Sequence, residues 1–200
     1  LAEFVRYFVE GDGQLWERQA LCKARVVYGS PRAARAATAA VGKAAFARRW
    51  RRRDADEIRQ MRRRLEETAE QGDVKRGRGG MVDVEFLVQM GQLRYARNNP
   101  AVRQSNTLEA FDALHAAECL AEDDHRFFRD AYRLLRRIEG RLRLMSPTAR
   151  DQLPDDPTEL AKLAHLLDDS EADRLLADLE RTMEEVRRRF DRVFDEAGTG

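Results

Sequence analysis

Residues 72–96 read GDVKRGRGGMVDVEFLVQMGQLRYA, a run rich in glycine and cations that passes directly into a strongly apolar one. Gly72, Gly77, Gly79 and Gly80 punctuate the first part, and Met81 to Ala96 follow with Val82, Val84, Phe86, Leu87, Val88, Met90 and Leu93. These apolar positions surround a helical turn instead of forming one stripe, so the segment predicts a central helix buried by neighbours on most sides. The rest of the chain must supply those neighbours. β-branched residues are sparse, and no stretch alternates over strand length between turn residues. The expected fold is an all-α bundle of eight or nine helices with a Gly-rich loop before a central buried helix.

Outward from this segment, breakers and caps divide the chain. Leu1 to Val9 ends at Gly11-Asp-Gly13, after which Leu15, Gln19, Cys22 and Val26 recur at helical spacing as far as Gly29-Ser30-Pro31. Pro31 fits the first turn of an alanine-rich helix to about Arg53, and Asp54 can cap another to about Gln71. Beyond Asn99-Pro100, Asn106 and Glu109 form a capping-box pattern for a helix through Ala117. A long helix from about Asp123 to Met145 places Phe127, Ala131, Leu134, Leu135, Ile138 and Leu142 on one stripe, and Ser146-Pro147 closes it. Asp156-Pro157-Thr158-Glu159 opens a helix to about Leu167, and Ser170 can cap a last one to about Ala197. The expected organisation is a helical domain over residues 1–145 and a helical extension, 146–200, packed on it.

Charge is abundant but balanced: 37 Lys and Arg face 36 Asp and Glu, leaving +1. No large net field attracts a polyanion, so bulk nucleic-acid binding is disfavoured. No apolar run approaches the roughly 18 residues of a membrane-spanning helix, and the first residues lack the pattern of a secretory signal. A cytoplasmic protein is expected. Cys22 and Cys119 have no paired spacing and read as small buried apolar residues in a reducing compartment.

The residues that bear chemistry concentrate in the loop. Glycines let backbone amides approach a ligand, while a helix N-terminus with Lys75, Arg76 and Arg78 favours negative charge. The loop is either an anion site or a structural turn; it is neither a P-loop nor a dinucleotide fingerprint. Asp83 and Glu85 are two apart and point to different helix faces, which does not make a magnesium pair. Asp83 suits the helix dipole, and Glu85 an arginine of a neighbouring helix. His115, His125 and His165 appear scattered, and no serine or cysteine has a base beside it, so neither a metal centre nor a nucleophile is expected. Arg48 to Arg53 and Arg62 to Arg64 are interspersed with acids and read as solvated helix faces.

Several segments, LWERQALCKAR (15–25), DVKRGRGGMVDVEFLVQ (73–89), NTLEA (106–110), AYRLLRRIEGRL (131–142), LPDDP (153–157) and LAKLA (160–164), occur together in this order. In this the chain resembles the helical domain that follows the nucleotidyltransferase domain of bacterial glutamine synthetase adenylyltransferase, a module related to one in PII uridylyltransferase. The resemblance implies a helical accessory domain over residues 1–145. It also implies a parent enzyme that uses ATP and Mg²⁺ to adenylylate a glutamine synthetase tyrosine, and removes AMP by phosphorolysis in its other half. Residues 80–85, GMVDVE, look more like the adenylylating half; the other half typically has arginine and glutamate in place of Val82 and Asp83. The family's Gly-rich turn and Asp-x-Asp pair, which hold magnesium and nucleotide, do not occur here, and the chain is expected to start just after them. Without that pair the chain alone is expected to be inactive, with no catalytic residue, no metal ligand and no cofactor requirement of its own. Lys75, Arg78, Gly79 and Gly80 would contact the triphosphate held by the missing domain. The implied partners are that domain, glutamine synthetase and the PII signalling protein. The alternative is a docking module for glutamine synthetase or PII that never touches nucleotide.

Overall fold

The computed structural model describes residues 1–146, 151–168 and 171–199. Among them the chain forms nine α-helices: α1 (Ala2–Val9), α2 (Leu15–Leu21), α3 (Pro31–Phe46), α4 (Arg52–Glu67), α5 (Met81–Tyr95), α6 (Thr107–Ala116), α7 (Glu122–Met145), α8 (Pro157–Leu166) and α9 (Ala172–Thr199). A short 3-10 turn, Pro100–Val102, follows α5. The described residues contain no strand, only an isolated antiparallel bridge between Asp73 and Gln152. None of the described helices is long and apolar enough to cross a membrane.

The all-α bundle expected from the sequence is observed, and α5 is its axis. Helices α2, α4, α6, α7 and α9 all pack against it, which is why its apolar residues need no polar face: Met81, Val84, Leu87, Val88, Met90 and Leu93 are all buried. The surrounding core takes Ile58 from α4, Phe111 from α6, Phe128, Leu135 and Ile138 from α7, Leu163 from α8, and Phe190 and Phe194 from α9. Residues on both sides of position 145 therefore enter one apolar cluster. Burial of each such large side chain favours folding by about 1.5–3 kcal/mol before conformational entropy is counted.

The caps are local and follow the residue types. The Asn106 side chain accepts from the Leu108 and Glu109 amides, Asp156 accepts from Thr158 and Glu159, and Pro31 and Pro157 open their helices. The predicted roles of Pro147 and Ser170 lie outside the described residues. Several boundaries differ from expectation. Helix α2 ends at Leu21, short of Val26, α3 ends at Phe46, short of Arg53, and α4 ends at Glu67, short of Gln71. The second difference has a clear cause: Arg48 turns back to donate to the carbonyls of Phe8 at 3.0 Å, Gly13 at 3.1 Å and Gly11. Arg48 thus fastens the α1–α2 corner and is not part of a solvated helix face. Asp54 sits inside α4, where its carboxylate accepts the Arg51 amide at 2.8 Å, and does not itself precede the helix.

Helix α9 is tied to the start of α7 through the buried Asp124, which accepts from Arg189 at 2.9 Å and Arg192 at 2.6 Å. On the preceding turn Glu185 is gripped by Arg188 and Arg189, whose hydrogen bonds hold its carboxyl down to about 2. The folded value lies below the ordinary 4.5, so this contribution is fully present above that value and is lost as pH falls toward 2. Glu185→Gln is expected to reduce the loss of stability across that acid window, measured by circular dichroism during acid titration. The change is expected to be small, because solvent screens a pair this open.

Candidate functional site

The loop before α5 is held by its own polar groups. Asp73 is buried, and its Oδ1 accepts from the amides of Lys75 at 2.9 Å and Arg76 at 2.7 Å, while Oδ2 accepts from Arg76 Nε at 3.1 Å. The amide of Gly77 donates to Asp73 O at 2.9 Å, that of Gly80 to Gly77 O at 3.0 Å, that of Met81 to Val74 O at 3.1 Å and that of Val82 to Lys75 O at 3.0 Å. The loop carbonyls therefore cap the first amides of α5. On its outer side the loop is pinned to residues 151–153, through Val74 N to Asp151 O at 2.9 Å and Leu153 N to Gly72 O at 3.0 Å.

Asp83, in the first turn of α5, is the hub of this arrangement. It is fully buried between Arg62 of α4 and Arg187 of α9, with Arg187 Nη1 at 3.4 Å, and it accepts the Gly79 amide at 2.7 Å. Arg62 also donates to Gly77 O at 2.7 Å, and Arg187 reaches Glu66 at 2.7 Å and Asp191 at 3.2 Å. Burial pushes the Asp83 carboxyl up against the pull of Arg62 and Arg187, while Asp83 is the strongest influence raising Arg187. One carboxylate thus joins three helices and the loop. Arg62, expected on a solvated face, is completely buried because this carboxylate requires a cation beside it.

Glu85 faces another way. It pairs with Lys23 at 3.1 Å and accepts from the Tyr132 hydroxyl at 2.9 Å, so its partner is a lysine, whereas the arginines expected for it serve Asp83. Both acids are paired with cations, Glu85 through Oε1 for both of its contacts.

Among the residues predicted to meet an anion, Arg78 is the most open. It is 64% exposed, and among the described residues the acid opposite it is Asp191, at 4.0 Å. Lys75 is one-third exposed and lies between Asp151 at 3.3 Å and Glu139 at 3.6 Å. Arg136 at 2.6 Å and Arg143 at 2.7 Å also bind Glu139, so three cations face two acids beside the loop. Sequence reading missed Arg136 and Arg143 because α7 brings them in from far along the chain. Gly79 and Gly80 are brought to the same turn, but their amides donate to Asp83 and Gly77. From Lys75 to Asp83, every backbone N–H except that of Arg78 has a partner among the described residues. An anion at this loop would therefore meet side chains, not an amide nest. The adjoining cleft is lined by Arg78 together with Glu66, Glu70, Asp73, Asp155 and Glu180, so its charge is predominantly acidic.

A second cluster lies at the α6–α7 turn. His115 and His125 stack with centroids 4.5 Å apart, and Glu122 Oε2 is 2.8 Å from His115 Nε2. The fold thus brings together histidines that the sequence places apart.

The family model described as GlnD PII-uridylyltransferase matches residues 44–194. The chain is also similar to proteins named bifunctional glutamine synthetase adenylyltransferase/adenylyl-removing enzyme. That of Bradyrhizobium sp. (strain ORS 278) is 30% identical over 99% of this chain and 21% of its own length. That of Stenotrophomonas maltophilia (strain R551-3) is 35% identical over 80% of this chain and 17% of its own. That of Caulobacter vibrioides (strain ATCC 19089 / CIP 103742 / CB 15) is 32% identical over 94% of this chain and 20% of its own. The chain therefore spans about a fifth of the length of these relatives. With three-quarters of its residues covered by the family model, and the helical bundle and interlocked glycine loop built from them, the chain belongs to the GlnD PII-uridylyltransferase family.

Proposed function

We propose that this chain is the helical accessory part of a glutamine synthetase adenylyltransferase and follows its adenylylating nucleotidyltransferase domain. The observation that carries the reading is the similarity of nearly the whole chain to a fifth of each bifunctional relative. Transfer of AMP from ATP to a glutamine synthetase tyrosine would take place in the neighbouring domain, where a carboxylate pair would hold Mg²⁺. This chain would supply rigid support. Asp83 and its arginines fix the loop, and Lys75 and Arg78 would face the triphosphate, with Gly79 and Gly80 letting the loop approach it closely. A reducing, cytoplasmic setting suits the free thiols Cys22 and Cys119.

The test is transfer of labelled AMP from ATP to glutamine synthetase by the intact parent enzyme. Lys75→Ala with Arg78→Ala is expected to raise the ATP Michaelis constant or lower turnover about tenfold, the size of one lost charge-assisted contact of 1–2 kcal/mol. Unchanged kinetics in a variant that remains helical would remove the loop from nucleotide handling. The chain alone is expected to transfer no AMP.

One observation favours a second reading, a docking module for glutamine synthetase or the PII protein. The loop spends nearly all its amides on itself, as a purely structural turn would, while Val27 and Tyr28 stand almost fully exposed between α2 and α3. Val27→Asp with Tyr28→Asp in the intact enzyme separates the readings. Weaker binding of glutamine synthetase with an unchanged ATP Michaelis constant supports docking.

A further inference from the structure

The turn between α6 and α7 carries a set of groups that nothing in the proposed accessory role uses. His115 ends α6, while Glu122 and His125 lie three apart on the first turn of α7 and so share one helix face. Each of the three offers a ligand atom, and these atoms all lie within 4.8 Å of one another. That separation is close to what a single ion requires, since two ligands each about 2.0–2.2 Å from zinc lie within about 4.4 Å of one another. Glu118, in the intervening turn, has a positive φ of 55°, a conformation uncommon in residues other than glycine. The turn that joins the ligands is therefore built in a sparsely used backbone shape.

The hydrogen bonds behind the rings fix which nitrogen of each is available. His115 Nδ1 is 3.2 Å from the Leu120 carbonyl, which can only accept, so Nδ1 is the protonated nitrogen and Nε2 is directed at Glu122. His125 Nε2 is 2.8 Å from Asp112 Oδ1, a carboxylate also held by Arg129, so Nε2 donates and Nδ1 keeps its lone pair. A histidine whose outer N–H is held by a carbonyl or carboxylate has the supporting shell of a metal ligand, and His115 also turns its other nitrogen to Glu122. We propose that His115, Glu122 and His125 form a binding site for a divalent transition metal of the zinc class, with Leu120 O and Asp112 orienting the two rings.

Two imidazoles and one carboxylate suit zinc and discriminate against magnesium, which prefers oxygen ligands in an octahedron. Three protein ligands leave the fourth tetrahedral position to water or to a group from a partner. Glu122 is 63% and His115 36% exposed, so the ion has access from solvent, whereas His125 is mostly covered. The three groups already lie close together, and because the two rings stack 14° from parallel, one imidazole turns about its side-chain torsions to bring both in-plane lone pairs onto one ion.

The experiment is calorimetric titration of the untagged chain with Zn²⁺ alone, paralleled by Mg²⁺ and by Co²⁺ absorption. One equivalent of Zn²⁺ is expected to bind saturably, Mg²⁺ is expected to give no saturable signal, and Co²⁺ should develop the visible bands of a tetrahedral nitrogen- and oxygen-ligated ion. His115→Ala and His125→Ala are each expected to weaken zinc binding by at least about tenfold. Asp112→Asn, which leaves all three ligands in place, is expected to weaken it by about 10–100-fold through the orientation of His125. Helicity and thermal unfolding without metal keep a folding defect separate from a lost ligand, and His115, at the surface end of α6, is the substitution that disturbs packing least. Absence of saturable zinc binding, or binding that survives both histidine substitutions, would overturn the assignment.

Discussion

Asp83→Ala is expected to lower the unfolding free energy by about 3–5 kcal/mol, the cost of breaking a buried ion pair by removing one partner. The loss is large because the carboxylate is shared. Its removal leaves Arg62, which has no contact with solvent, without its principal counter-charge, takes one acid from Arg187, and frees the Gly79 amide. Glu66, 3.6 Å from Arg62 and 2.7 Å from Arg187, compensates in part. For a chain of this length such a loss corresponds to a fall in melting temperature on the order of 10 °C. Asp83→Asn distinguishes charge from geometry. Its amide oxygen can still accept from Gly79, so a loss close to that of alanine would identify the charge as the dominant factor. A loss below about 1 kcal/mol for both variants, measured by urea unfolding, would show that the arginines find other partners and that the hub contributes little.

What was legible in the sequence is what local chemistry dictates. The Asn106 and Asp156 caps, the prolines that open α3 and α8, and the burial of α5 all rest on residues within a turn or two of one another. The site is different. Arg62 lies in an arginine run that reads as solvated surface, and Arg187 lies 104 positions from the carboxylate it meets. No periodicity encodes that encounter. The available signal was energetic: an acid on the first turn of a helix that is otherwise apolar must find cations when the helix is buried. The same reasoning applied to Glu85 leads to a cation but not to its identity: arginine far outnumbers lysine in this chain, and only packing places Lys23 there. At the α6–α7 turn the histidines read as scattered, because the approach of His115 to Glu122 and His125 depends on the shape of the turn between them.

Gly79→Ala carries the other large expected effect, and it acts on the same hub from the backbone side. Gly79 has φ +72° in the left-handed region, and a Cβ there would overlap the Met183 carbonyl and lie 2.9 Å from Met183 Cα. The backbone of α9 therefore rests directly on the loop, and no flexible side chain is available to move aside. A left-handed residue with a side chain costs about 1–2 kcal/mol, and forcing packed elements apart costs about 1–3 kcal/mol more, so destabilisation of about 2–5 kcal/mol is expected. Gly140→Ala is the contrast: it lies in α7 with nothing within 4 Å of an added Cβ, and is expected to stabilise the protein by about 0.5–1 kcal/mol through helix propensity. Because Gly79 also donates to Asp83, and displacement of α9 moves Arg187, the Gly79 and Asp83 substitutions should not be additive. The double variant is expected to lose less than the sum of the single losses, since the first change already dismantles part of what the second removes. Additive losses in thermal or urea unfolding would mean that the glycine holds only its own turn, and that α9 docks on α5 independently of the loop.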